Sequence, residues 1–171
     1  MAQELELKPL DIDGMSNLRY LHASAFRALA YHCHTPEEIS AFVTLVYSPP
    51  YAARLLTRSV TVARLAGELV GSAAWTPMND MGKTARVSDV FVLPMFARQG
   101  IGTLLARHVE DEARRAGFTE CAIRAPMNAE PFFRALGYQV SSHGVRTLPD
   151  DVDMQVVFMR RSLAVDRVTA A

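Results

Sequence analysis

The chain has 171 residues, 50% of them hydrophobic and 21% charged, the composition of an ordinary globular protein long enough to bury a core without disulfides or a structural metal. Its 18 basic and 18 acidic residues leave a formal net charge of zero, so no basic field exists to hold DNA or RNA, and no nucleic-acid partner is expected. The two cysteines, Cys33 and Cys121, have no CxxC or Cys/His spacing for zinc, and no apolar run approaches the roughly 20 residues that span a bilayer; a reducing, cytoplasmic setting without membrane or metal is expected.

Residues 1–8 alternate charge and leucine where a signal peptide would need a basic start and an apolar run. Glu4 to Leu10 reads as a half-buried strand ending at Pro9. From Met15 to Leu29, the residues Leu18, Leu21, Ala25, Phe26 and Leu29 recur at helical spacing, with Asp13 or Gly14 at the entry. Thr35-Pro-Glu-Glu opens a second helix: Thr35 caps, Pro36 takes the first helical position and Glu38 completes a capping box. That helix runs through Ile39, Phe42, Val43 and Val46 and stops before Pro49-Pro50, leaving Tyr51 to Leu56 as a further turn. Ser59 to Leu65, the Ala66-Gly67 turn and Glu68 to Trp75 form a hairpin. A link from Asn79 to Thr84 leads to a strand from Arg86 to Leu93, closed by Pro94. After Arg98-Gln99-Gly100-Ile101-Gly102 comes a helix whose stripe is Ile101, Leu104, Leu105, His108, Val109, Ala113 and Ala116, ended by Gly117. Cys121 to Ala125 is a short strand, and Ala129 to Leu136 a short helix starting near Pro131 and leaving through Gly137-Tyr138. Met154 to Met159 is the last strand, and the tail after Leu163 reads as dispensable. The order is that of one layered α/β domain over residues 1–171, antiparallel at its beginning.

A strand, a short glycine-containing turn and a long helix make an anion-binding device, because unpaired backbone N–H groups and the positive dipole end meet at the helix start. Gly100 and Gly102 let a phosphate approach the main chain, and Arg98 adds charge beside it. Taken alone, the same turn is equally a packing device. Two phosphate motifs fail: Gly82-Lys83-Thr84 has the ending of a P-loop, but the earlier glycine is Pro77, and the third glycine of a dinucleotide fingerprint is Leu105. No GxSxG elbow is present, which removes the α/β-hydrolase class.

The segment from Val90 to Leu105, VFVLPMFARQGIGTLL, resembles the signature of the GNAT superfamily of acetyl-CoA-dependent N-acetyltransferases. A second block, Asn128 to Tyr138, resembles the family's later segment, a short helix ending in glycine and an aromatic. The resemblance implies a GNAT-like acyl-CoA N-acyltransferase fold: a mixed, mainly antiparallel sheet, splayed near its middle where acetyl-CoA inserts, with helices on both faces. With it goes acetyl transfer to a primary amine by direct attack, without an acetyl-enzyme; a small-molecule acceptor is expected because the composition shows no strongly acidic groove for a basic peptide. Cofactor contacts fall by resemblance on Phe91 and Val92 of the strand, on Ala97, Arg98, Gln99, Gly100, Ile101, Gly102 and Thr103 of the loop, and on Asn128 and Phe133. Ala97 stands where the family usually has Arg or Gln, and Phe133 where a tyrosine often serves as general acid.

Transfer to an amine needs a neutral amine, a polarised carbonyl and a protonated leaving thiolate. Ser88 and Asp89 occupy the place where some relatives carry a carboxylate, and Asp89 is read either as amine anchor or water-mediated base, or as an acceptor for a neighbouring loop. Strand alternation separates the two side chains unless a bulge intervenes. Tyr31, His32, His34 and Trp75 are candidates for the acceptor pocket, against solvent-facing histidines and a core tryptophan as the alternatives. His108 reads as packing, and Cys121 as a buried strand residue rather than an acetyl carrier. An acyl-CoA-binding sensor that has lost catalysis is the competing function, motivated by Ala97 and Phe133, and transfer of a longer acyl chain is a third. A homodimer is a further expectation from the resemblance.

Overall fold

Periodicity and caps act over a few residues, and most of the elements they predict form where expected. The computed structural model describes residues 4–79 and 81–164; position 80 in the Asn79 to Thr84 link and positions 165–171 of the tail lie outside the described residues. Strand β1 is Leu5–Pro9 and helix α1 is Met15–Leu29. Helix α2, Pro36–Val46, starts with the complete capping box: Glu38 N–H donates to Thr35 Oγ1, and Thr35 N–H donates back to the Glu38 carboxylate, at 3.1 Å each. Helix α3, Pro49–Leu56, begins with both prolines instead of following them, since proline lacks only the N–H that a first turn leaves unused. The hairpin is β2, Ser59–Leu65, and β3, Glu68–Pro77, and β4 is Thr84–Val92. Helix α4, Ile101–Arg115, strand β5, Glu120–Pro126, and helix α5, Glu130–Ala135, follow.

Two expectations need correction. The sequence order allows one or two strands after the last helix; the structure has two, and β6, Gln139–Leu148, has no bounds marked in the sequence because it is an edge strand whose polar, mostly exposed residues carry little alternation. It pairs with β7, Val152–Ser162, which is longer than the run from Met154 to Met159. On α4, Leu104 is 47% exposed and His108 bonds Glu112 at the surface, while Glu110, only 1% exposed, is buried among apolar neighbours. It faces inward because Tyr138 Oη donates to it at 3.0 Å, Arg107 at 3.0 Å, and Arg161 of β7 completes the pairing.

The strands form one sheet in the order β1-β2-β3-β4-β5-β7-β6, antiparallel throughout except for β4 against β5. One face packs on α4 through Leu105, Val109 and Ala113 against Ala73, Ala85 and Val87. The other packs on α1, α2 and α3 through Phe26, Phe42 and Tyr51 against Val62, Ala74 and Val156. The parallel pair holds only from Thr84 to Arg86 against Glu120 to Ala122, although both strands continue well past it. Beyond that point β4 and β5 diverge, which is the splayed, mainly antiparallel sheet with helices on both faces that the resemblance implies.

Candidate active site in the splayed sheet

The divergence opens a cavity of about 690 Å³. Its first wall is the edge of β4 beyond Arg86, whose backbone groups have lost their β5 ladder partners. Buried backbone N–H and C=O groups are normally paired, so a bare strand edge inside a cavity is a place for an extended ligand with amide groups. A second wall is the start of α4, where Gly100, the N-cap, has no side chain to cap the first-turn N–H groups. Gly100 has φ +83° and open space where a Cβ would stand, so glycine serves the left-handed backbone there. At Gly102 a Cβ would stand in ordinary contact with the Phe132 ring, at 3.4 Å. Arg98 faces the same wall, and Asn128 Oδ1 is buried nearby without a hydrogen-bond partner.

The middle of β4 is bent by a bulge. Ser72 of β3 pairs with Phe91 and Ala74 with Ser88, so Asp89 and Val90 together oppose the single residue Ala73. Asp89 consequently has φ +56°, a left-handed conformation that costs a non-glycine residue about 1 kcal/mol or more. Hydrogen bonds at both ends offset it. Ser72 Oγ donates to the Asp89 carbonyl at 2.7 Å, so it accepts from His22 Nε2–H at 2.8 Å, and His22 Nδ1 in turn accepts from the Tyr51 hydroxyl at 2.7 Å. The Asp89 carboxylate accepts from Arg58 Nη1 at 2.5 Å and from Ser88 Oγ at 2.8 Å. Burial acts to raise the Asp89 carboxyl, but the His22 ring beside it, the Arg58 charge and the two hydrogen bonds outweigh it and hold it below the usual carboxylate range. The bulge thus brings Ser88 and Asp89 to one site, with the Asp89 charge already engaged.

His22 is wholly buried, and burial pushes its pKa down to about 4. It is therefore neutral at pH 7, and between about pH 6.5 and 4 the unfolded chain binds a proton that the folded chain refuses. Stability is fully present above pH 6.5 and falls as pH drops through this window, by on the order of 3 kcal/mol from this group alone. Chemical denaturation of wild type and His22→Gln from pH 4 to 7 tests this: the wild-type curve should slope and the variant should be flatter, and equal slopes would assign the acid sensitivity elsewhere.

The cavity gathers most of the candidate residues. Ser88, Asp89, Phe91, Val92, Ala97, Arg98, Gly100, Gly102, Thr103, Asn128 and Phe133 all line it. Gln99 and Ile101 do not: Gln99 is exposed at the turn, and Ile101, the first residue of α4, is buried in the core. Tyr31, His32 and His34 also lie outside it. Tyr31 stacks on His32 at the exposed α1–α2 turn, and His34 Nδ1 bonds Glu38 at 3.0 Å. Trp75 donates Nε1–H to Glu112 at 3.0 Å and packs edge-on against Phe118, outside the cavity. Cys121 is buried and its thiol is pushed up to about 12, chiefly by burial and then by Glu110.

The sequence reading missed His22, Tyr51 and a group of arginines. The signal was present but ambiguous. His22 falls on the apolar stripe of α1, and Arg86 and Arg124 each stand between buried apolar residues of a strand.

Among known proteins, the family model described as the Acetyltransferase (GNAT) family matches residues 20–138 of this chain. The chain is 27% identical over 62 residues to the uncharacterized protein YyaT of Bacillus subtilis (strain 168), a match over 36% of this chain and 42% of that relative. Its structure is similar to that of a GCN5-related N-acetyltransferase from Rhodopseudomonas palustris, with a TM-score of 0.85 and 21% identity over 95% of this chain and 99% of the other. It is also similar to a GNAT family acetyltransferase from Brucella melitensis in complex with acetyl-CoA, with a TM-score of 0.63 and 21% identity over 96% of this chain and 91% of that one. At these identities the structures establish a shared fold. No described helix is long and apolar enough to cross a membrane.

Proposed function

The chain belongs to the GNAT acetyltransferase family, and we propose that it acts as a single domain that moves an acetyl group from acetyl-CoA to the primary amine of a small molecule by direct attack. One observation carries the reading: the unladdered edge of β4 and the uncapped start of α4 face the same cavity. Acetyl-CoA supplies an acetyl group activated as a thioester. The β4 edge around Phe91 and Val92 offers paired donors and acceptors to the amides of its arm, and the N–H groups after Gly100 suit its diphosphate, with Arg98 adding charge. The Brucella melitensis structure contains acetyl-CoA on this fold, which supports the choice of donor.

The remaining steps need little from titrating side chains. Asp89, paired with Arg58 and held ionised, is a weak base, so its role is to fix the bulge that aims the β4 backbone into the cavity. Phe133 carries no proton, and the Tyr51 hydroxyl is committed to His22. As the amine nitrogen bonds to the carbonyl carbon and the carbon–sulfur bond breaks, the proton lost by nitrogen passes through water to the sulfur. Cys121 takes no part, because a buried thiol with so high a pKa supplies almost no thiolate. A reducing, cytoplasmic setting belongs to the same proposal.

Calorimetric titration with acetyl-CoA tests the site. Wild type should bind, and Arg98→Ala with Gly100→Asp should bind at least tenfold more weakly, since a carboxylate then faces the diphosphate. Mass spectrometry after acetyl-CoA alone should show no acetylated protein; stoichiometric acetyl-Cys121 would sink direct attack. Binding without transfer to any amine would favour the sensor reading instead.

A further inference from the structure

The chain has no net charge, yet its cavity is strongly positive. Apart from Arg98 at the α4 end, five arginines line it from five places in the chain: Arg54 of α3, Arg58 before β2, Arg86 of β4, Arg124 of β5 and Arg146 of β6. Arg86 lies between Ala85 and Val87, and Arg124 between Ile123 and Ala125, whose side chains pack on the α4 side; both arginines therefore point to the opposite face of the sheet. Asp89 is the only acidic residue lining the cavity among the described residues, and Arg58 already holds it. None of Arg54, Arg86, Arg124 and Arg146 takes part in an ion pair among the described residues.

Two of these guanidiniums are positioned as well as unpaired. Arg54 stacks over the Tyr51 ring at 4.8 Å and Arg146 over the Phe42 ring at 5.9 Å, contacts that hold them without neutralising them. The Arg54 Nε–H is buried with no acceptor. Burial and mutual repulsion press Arg86, Arg124 and Arg146 below the usual guanidinium range, Arg146 to about 10. Folding has gathered like charges in one cavity and left their hydrogen-bond donors unused.

Resting on the acetyl-transfer reading, we propose that the acceptor is an anionic amine, a small molecule carrying a primary amine together with two or more negative charges as carboxylates or a phosphate. Guanidinium groups bind such oxyanions through paired, charge-assisted hydrogen bonds. A cationic acceptor such as a polyamine or a lysine-rich peptide is disfavoured by the same field. The field also favours the neutral form of the amine, which is the form that attacks, in a cavity whose only carboxylate is engaged.

The test uses two matched pairs, glutamate against glutamine and phosphoethanolamine against ethanolamine, with lysine as the cationic control. Binding to the full chain is followed by calorimetry, and transfer by release of thiol from acetyl-CoA. At least one anionic amine should bind and react tenfold or more better than its partner lacking the extra anionic group, and the pair that does so separates carboxylate from phosphate recognition. Arg124→Gln with Arg146→Gln should abolish the preference, while Arg98→Ala with Gly100→Asp should retain it in binding. Removing like charges should leave the arginine variant melting at or above the wild-type temperature, so lost preference cannot be ascribed to unfolding. Equal binding of the two members of both pairs, a preference for lysine, or a preference that survives in the arginine variant would overturn the proposal. Failure to bind acetyl-CoA would overturn the transfer reading alone, since calorimetry still judges the anion site; thiol release without charge preference would do the reverse.

Discussion

Replacing Glu110 by alanine is expected to destabilise the fold by about 4 kcal/mol, because removing one member of a buried ionic cluster strands its partners. Glu110 is 1% exposed in the middle of α4, and its carboxylate collects Arg107 of the same helix, Arg161 of β7 and the Tyr138 hydroxyl. It ties together three elements: the helix under the cavity, the exit of α5 and the strand beside β5. Arg107 and Arg161 reach water and lose less on truncation, whereas the Tyr138 hydroxyl is left buried without an acceptor. For a domain of this size the change corresponds to a fall of roughly 8–16 °C in melting temperature. Glu110→Gln retains an acceptor for Tyr138 and should lie between alanine and wild type. Thermal denataturation of the three proteins decides it, and an alanine variant melting within 2 °C of wild type, a margin of roughly 1 kcal/mol or less, would contradict the assignment.

The second large effect belongs to Arg58. Alanine there leaves the Asp89 carboxylate, 7% exposed, without its charge partner, for an expected loss of about 3–5 kcal/mol at pH 7. The sign of the pH dependence should also reverse. In wild type the Asp89 carboxyl is held below its usual value, so its contribution is present above the ordinary carboxylate pKa and lost as pH falls. Without Arg58 burial dominates and raises it, so folding favours the protonated acid and the variant loses stability as pH rises through that range. The difference between wild type and Arg58→Ala, measured by denaturant unfolding at matched pH, should therefore widen from pH 4 to pH 7. Adding Asp89→Asn to Arg58→Ala removes the stranded charge and should recover much of the loss. A double variant no more stable than the single one at pH 7 would show that Arg58 acts through something other than Asp89.

Both effects concern residues whose roles depend on chain segments far apart, and they mark where reading the sequence stopped short. The capping box at Thr35, the hairpin turn at Ala66-Gly67 and the glycines after Arg98 are legible because each is settled by residues within a turn or two of itself. The bounds of strand β6 are illegible for the complementary reason: an edge strand with most of its side chains in water has no apolar alternation to display, and its place is decided by the β7 strand beside it.

The α/β order, the glycine turn ahead of α4 and the family are legible in the chain alone, since they rest on local periodicity, caps and a contiguous motif. The bulge at Asp89, the exclusion of Tyr31, His32, His34 and Trp75 from the cavity, and the convergence of arginines from α3 to β6 arise from long-range packing. A bulge depends on the register between two strands, and the field inside a cavity is a sum over side chains from several elements. A net charge of zero over the whole chain is silent about how that sum is distributed in space.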